Sequence, residues 1–415
     1  MKLKKSRALA AIGLAGSFTA LALPMVSSSS GAASPTVSAT TFKTNYATMK
    51  YLVGVTKKGK GKVAEILPDT TSSDRYADFD APFMKAAMKA AGLPAKDLIV
   101  QNGDGSDNTF FTDAQADVAN GAKVLIIDPE DSTTGDAVEA YAVAHHVKVI
   151  DYDRLTLGGF RNYYVSFNNV TVGTQLGSGL TACITAWGVK SPVVYVMYGA
   201  PTDNNATLFG EGYNKVLTAA GYAPAEGGSG SANTVDESVG TWTPAQALTD
   251  FEGAFTANPK INAVLTPNDE NAAPIIAHLQ SQGLAPDTIP FTGQDATPTG
   301  FQNIISGYQC GTVYKPIFEE AQAAAALALY LRAGVKPPKG LVNGTTTDSS
   351  TKIAAYEHVP SVLLTSSWVT ASTIESTVIA QHFVTVASIC TSNAPVVQGL
   401  TEPTYAADCT KYGIK

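Results

Sequence analysis

The sequence predicts an α/β protein of two doubly wound parallel-sheet lobes, and three observations lead there. From Lys62 onward, short continuous apolar runs alternate with amphipathic helical segments, the pattern of strands buried on both faces beneath crossover helices. The alternation occurs twice in succession, in a chain of 415 residues with 45% hydrophobic and 15% charged content, enough for two cores. Nearly every strand-like run also stops on a carboxylate, an amide or a cation. Ligands of open α/β sheets gather beyond those carboxyl ends.

The chain opens with Lys2, Lys4, Lys5 and Arg7 ahead of an apolar run, followed by small residues around Gly31 to Ala33, the order of a secretory signal peptide. Pro24 and the small polar stretch after it favour cleavage over an uncleaved anchor. Residues 1–33 are therefore read as a signal peptide and 34–61, with the Lys/Gly run KKGKGK, as a tether. No cysteine lies near the cleavage region, so no lipid anchor is encoded there, and the expected location is periplasmic or extracellular. Removing four positive charges and no negative ones takes the net charge from −7 to 24 minus 35, or −11, which argues against nucleic acid as a partner.

The first set of units begins with KVAEILPD and the helical APFMKAAMKAAG. DLIVQN and FTDAQADVANG follow, then AKVLIIDP and GDAVEAYAVAHH, and the set ends in VKVIDYDR. The second set pairs SPVVYVMYGA with ATLFGEGYNKVLTAAG and INAVLTPND with NAAPIIAHLQSQG. IPFTGQD then precedes TPTGFQNIISG, and CGTVYKPI precedes the Ala-rich FEEAQAAAALALYLRAG. Four cysteines, Cys183, Cys310, Cys390 and Cys409, read as two disulfides in an exported chain. Spacing alone leaves three connectivities open; Cys390 with Cys409, closing a loop in the C-terminal stretch, is the favoured one, which leaves Cys183 with Cys310. The five histidines do not cluster beyond the adjacent His145 and His146, so neither a zinc site nor a catalytic histidine is expected, and no cofactor is implied.

The strand-ending residues are Asp69, Asp128, Asp153 with Arg154, Asn204 with Asn205, Asn268 with Asp269, Gln294 with Asp295, and Lys315. Asp69, Asp128 and Asp269 fit a plain role as helix N-caps. Arg154 and Lys315 do not, because neither side chain can cap a helix N-terminus. Sugar hydroxyls both donate and accept, so a site for them needs acceptor-only carboxylates, donor-only cations and amides that do both. The apolar face of a pyranose also suits an aromatic ring, and Trp242 and Tyr76 beside Arg75 supply one on loops. A glycosidase would need one selectable carboxylate pair. No nucleophile elbow, phosphate loop or dinucleotide fingerprint is present either, so an enzyme is not expected.

Six collinear motifs carry a resemblance: DYDR at 151–154, GAPTDNNATLF from Gly199, PND at 267–269, TGQDA at 292–296, TVYKPI at 312–317 and VPSVLLT at 359–365. Together, from about Lys62 to Phe383, they closely resemble the D-xylose-binding proteins of bacterial ABC sugar importers, with an actinobacterial-like tail from Cys390. The resemblance implies a type 1 periplasmic-binding-protein fold, two lobes joined by three crossings that close on one monosaccharide. It implies a monomeric protein that delivers the sugar to a membrane permease. Carried onto matching positions, it places Arg75, Tyr76, Asp153, Arg154, Asp203, Asn205, Trp242, Asn268, Asp295 and Lys315 around the ligand, with Lys315 at a crossing. The expected domains are 62–165 plus 316–343 for the N-terminal lobe, 166–315 plus 344–385 for the C-terminal lobe, and 386–415 as a tail. Tyr76 stands where these proteins commonly carry Trp, the preceding loop is one residue longer, and Asn168 replaces a usual Asp. The alternatives that stay open are another pentose or hexose, or a sensor reporting to a membrane kinase. A sugar-responsive transcription regulator would need a basic helix-turn-helix where the signal sequence stands.

Overall fold

The computed structural model describes residues 36–224, 230–237, 239–348, 350, 357–391 and 405–415. The expected signal peptide and residues 392–404 of the expected tail lie outside them. Residues from Pro35 to Lys415 form one compact unit, built around two sheets.

The first sheet holds β1 (Lys62–Leu67), β2 (Leu98–Asn102), β3 (Ala122–Ile127), β4 (Lys148–Tyr152) and β5 (Tyr163–Phe167), joined by α2 (Ala81–Ala90), α3 (Asp107–Ala119) and α4 (Ser132–Ala144). A short α1 (Val53–Thr56) precedes them. Chain reversal from β2 to β1 and on to β3 gives the order β2-β1-β3-β4-β5, all parallel. β3 is buried at Val124, Leu125, Ile126 and Ile127, as its unbroken apolar run requires of a strand covered on both faces.

The second lobe holds α5 (Asn169–Ala186), β6 (Val194–Val196), α6 (Asn204–Ala219), β7 (Thr234–Asp236), α7 (Pro244–Ala257), β8 (Ala263–Leu265), α8 (Asp269–Ser281), α9 (Pro298–Ile305) and β9 (Thr312–Tyr314). Its strands run β7-β6-β8, extended by parallel bridges from Val264 to Phe291 and from Gln294 to Val313. The expected strand at IPFTGQD is reduced to those bridges because hydroxyls replace part of the ladder. The Thr292 hydroxyl accepts from the Thr266 amide at 2.9 Å, and the Thr266 hydroxyl donates to the Thr292 carbonyl. Helices α5 and α6 meet at glycine: a Cβ on Gly173 or on Gly212 would strike the backbone of the other helix. That close approach fixes the N-terminus of α6, where Asn205 sits.

The chain passes between lobes three times. β5 leads into α5, β9 leads through Lys315 into α10 (Ile317–Arg332), and β11 (His358–Leu364) leads into β12 (Ser367–Val369). α10 returns beneath the first sheet, buried from Ala321 to Tyr330; its alanines are the best helix formers and let the strands approach closely. Two expectations are corrected here. Residues 344–364, expected in the C-terminal lobe, build β10 (Gly344–Thr347) and β11 onto the first sheet, with β11 parallel to β5. The apolar alternation of HVPSVLL is satisfied there, with Val359, Val362 and Leu364 inside. The expected tether is also no tether: Phe42, Met49 and Leu52 are fully buried in the core shared with α2 and α10.

The disulfides are Cys183–Cys310 and Cys390–Cys409, with Cα separations of 6.1 and 5.9 Å. The second joins α11 (Val386–Cys390) to α12 (Tyr405–Tyr412), and Ile389 and Ile414 pack with Phe301 and Ile304 of α9.

Because Phe42 is a core residue, Phe42→Ala is expected to lower the unfolding free energy by about 3–5 kcal/mol in urea titration. A solvated tether would give no measurable change.

Candidate functional site

The loops that leave the carboxyl ends of both sheets converge on one narrow polar cleft. Arg75, Tyr76, Asp153 and Arg154 line it from the first lobe, Asp203, Asn205, Trp242 and Asp295 from the second, and Lys315 from the second crossing. Ser72, Ser73, Phe209 and Gln294 complete the wall.

Arg75 is 1% exposed and held by three carboxylates. Its Nε and Nη2 clamp Asp80 at 2.9 Å each, Nη1 donates to Asp153 at 2.9 Å, and Nη2 donates to Glu320 at 2.7 Å. Asp80 ends a wide helical turn, Tyr76–Asp80, that leads into α2, and Glu320 lies in the first turn of α10. Among the described residues Arg75 Nη1 makes no hydrogen bond besides the one to Asp153.

Asp153 is the junction of the site. One of its oxygens meets Arg75, and the same oxygen lies 3.7 Å from Lys315 Nζ. Lys315 also pairs with Asp295 at 3.0 Å. Burial alone would raise the Asp153 carboxyl; Arg75, Lys315 and Arg154 outweigh it and hold it down to about 2. Both site aspartates adopt positive φ, Asp153 at 55° and Asp295 at 84°. Glycine would take that conformation more readily, so the backbone carries strain where a carboxylate is needed.

Arg154 turns the other way. It bridges to Glu130 at 3.2 Å, to Asp203 at 3.6 Å and to Asp128 at 3.7 Å, and donates to the Tyr76 hydroxyl at 3.2 Å. The guanidinium carbons of Arg75 and Arg154 lie 5.5 and 5.7 Å from the centre of the Tyr76 ring, within cation–π range. Across the cleft, Asp203 caps α6 by accepting from the Asn205 amide at 2.9 Å and accepts from Trp242 Nε1 at 3.1 Å. Asn205 then donates to the Asp153 carbonyl at 3.0 Å and accepts from Tyr164 and Asn169. The buried Gln294 Oε1 has no hydrogen-bond donor from the described residues.

Asn268 does not line the cavity. It caps α8, accepting from the Asn271 amide at 3.0 Å, and its Nδ2 donates to the Ser72 carbonyl at 3.1 Å. Sequence could not separate these roles, since an asparagine ending a strand serves a cap or a ligand equally well. None of Asp69, Asp128 and Asp269 caps a helix. Asp69 gathers the Thr71 and Ser72 amides in a turn, Asp128 faces Arg154, and Asp269 accepts from the Thr297 amide and Gln309. The added wall residues carried weak signals: Gln294 ends a strand-like run and Phe209 closes the GAPTDNNATLF motif, while Ser72 and Ser73 look like ordinary loop serines.

The model of the periplasmic binding protein domain matches residues 63–336. The chain belongs to the periplasmic binding protein family. Its architecture is the type 1 fold of that family, and its relatives are solute-binding proteins, not enzymes. The D-xylose-binding periplasmic protein of Escherichia coli (strain K12) is 35% identical over 297 residues, covering 71% of this chain and 83% of that protein. A multiple sugar-binding periplasmic protein of Azospirillum brasilense is 32% identical over 76% of this chain and 88% of its own length. Among solved structures, a carbohydrate transporter solute binding protein from Chloroflexus aurantiacus, in complex with D-glucose, superposes with a TM-score of 0.67 at 26% identity, covering 80% of this chain and 98% of that one. No helix among the described residues of this family member is long and apolar enough to cross a membrane.

Behind Arg75 the third carboxyl is surplus, and burial pushes Glu320 up to about 8 despite the guanidinium. A folded-state value above the ordinary glutamate value of 4.5 means stability that is complete below the unfolded value and lost as pH rises through about 8. Glu320→Gln is expected to flatten the fall in unfolding free energy between about pH 5 and 8 in denaturant titrations. An unchanged slope would remove Glu320 from that role.

Proposed function

We propose that the protein is the exported, non-lipidated sugar receptor of an ABC importer, binding one monosaccharide between its lobes, with D-xylose the first candidate. The observation that carries this is the charge balance of the cavity wall. Arg75, Arg154 and Lys315 are matched by Asp153, Asp203 and Asp295, so the wall is dense in hydrogen-bonding groups and carries no net charge. A neutral polyol suits such a wall, whereas a uronate or a sugar phosphate would need an excess of cations.

The remaining hydrogen-bond capacity supports the same class. Arg75 Nη1 and Asn205 Nδ2 each keep a hydrogen for a ligand oxygen, and Gln294 Oε1 keeps an acceptor site. The Trp242 ring, fixed by its bond to Asp203 and edge-on to Phe209 at 6.4 Å, offers an apolar face for the C–H side of a pyranose. Relatives named for D-xylose at 35% and 33% identity support xylose over other sugars. Those named for multiple sugars at 32% and 30% make specificity the open question for experiment.

A sugar touching both lobes favours the closed arrangement by its greater affinity for it, and the closed form is then what a membrane permease would receive. A wrong epimer leaves a buried polar group unpaired at about 1–3 kcal/mol, or roughly 5- to 100-fold per mismatch.

Calorimetric titration with D-xylose, ribose, arabinose, galactose and glucose tests the reading. Tightest binding is expected for D-xylose, and no heat with any of the five would overturn the sugar class. Asp295→Ala and Arg154→Ala are each expected to weaken binding by at least about 100-fold, the loss typical of stripping one partner from a buried charged hydrogen bond. Their circular dichroism should stay unchanged. Wild-type titration curves from both variants would refute the site.

A further inference from the structure

Three hydrogen bonds join the lobes at the edge of the cavity, where the loop that carries Ser72 and Ser73 of its wall meets two residues of the second lobe that lie outside it. Ser73 Oγ donates to Glu270 Oε1 at 2.7 Å, the Asp74 amide donates to the same oxygen at 3.0 Å, and Asn268 Nδ2 donates to the Ser72 carbonyl at 3.1 Å. The loop 72–74 belongs to the first lobe, and Asn268 and Glu270 belong to the start of α8 in the second. Neither Asn268 nor Glu270 is part of the cavity wall. These contacts are made between protein groups alone, and they exist only when the lobes are together.

Ser73 connects this contact to the site. Its hydroxyl also lies within donating distance of Asp295 Oδ2, at 3.1 Å, yet a hydroxyl has one hydrogen to give.

We propose that Glu270 is a closing latch, a residue that sets sugar affinity through the balance of open and closed forms without touching the sugar. The proposal rests on the sugar-binding reading of the cleft. A latch of this kind raises the fraction of sugar-free protein in the closed form, and apparent affinity scales with that fraction. It acts equally on every sugar that closes the lobes, so it changes the strength of binding and leaves the order of preference alone.

The test compares the full exported chain with Glu270→Gln and Glu270→Ala, by small-angle scattering without sugar and by calorimetry with D-xylose and one competing sugar. Glu270→Ala is expected to enlarge the sugar-free radius of gyration and to weaken both sugars by the same factor. That factor should be up to about ten-fold, the size of one buried hydrogen bond. Glu270→Gln should fall between, since its amide oxygen still accepts from Ser73 and Asp74. Unchanged scattering together with unchanged affinity would overturn the latch. So would a loss that differs between the sugars, which would put Glu270 against the ligand. If the wild-type protein gives no heat with any sugar, the sugar reading fails, and the scattering comparison still decides the latch. Should Glu270→Ala fail to fold, Asn268→Asp keeps the α8 cap while removing the donor to Ser72, and the same enlargement is expected.

Discussion

The site depends on one buried carboxylate shared by two cations. Asp153, at the end of β4, meets Arg75 at 2.9 Å and Lys315 at 3.7 Å. Arg75 is anchored on the helices of the first lobe through Asp80 and Glu320, whereas Lys315 stands on the crossing between lobes and reaches Asp295 in the second. Charges taken this far from water are tolerated only when paired and hydrogen-bonded, so each partner's place is dictated by the others. The backbone yields to that demand: Asp153 and Asp295 take left-handed conformations where glycine would be easier. Geometry of this kind is set before a ligand arrives, and preorganisation keeps the cost of binding low.

The two helices that position the site, α6 in its wall and α10 behind it, are held by different means. α6 presents Asn205 because glycines at 173 and 212 let it press against α5. α10 presents Glu320 because an alanine-rich face lets it lie under β3 to β5. The second lobe is braced by the bridge from Cys183 in α5 to Cys310 just before β9. Stiff lobes joined by three short crossings suit rigid-body closure.

Much of this was legible in the sequence, for a physical reason. Strands buried on both faces must be continuously apolar, so a charge such as Lys315 directly after TVY marks where the sheet ends and a ligand can be met. The rest was hidden by ambiguity of chemistry. Asn268 has the composition of a ligand residue and serves as a cap and a lobe-to-lobe donor. Glu270 reads as an ordinary acidic residue in the first turn of a helix, and only the fold brings it to Ser73, 197 positions away. Phe42, Met49 and Leu52 are too sparse to show a period, and their burial depends on α10, which lies far along the chain. β10 and β11 join the first lobe because pairing with β5 satisfies an edge that local sequence does not reveal.

The central claim, that polar groups from both lobes meet around one sugar ring, is tested most directly by a crystal structure of the protein grown with D-xylose. The expected result is a single pyranose enclosed between Asp153 and Arg154 on one side and Asn205 and Asp295 on the other, with Asp153 still paired to Arg75 and Lys315. A sugar bound on an outer surface beside an empty closed cleft would contradict the account.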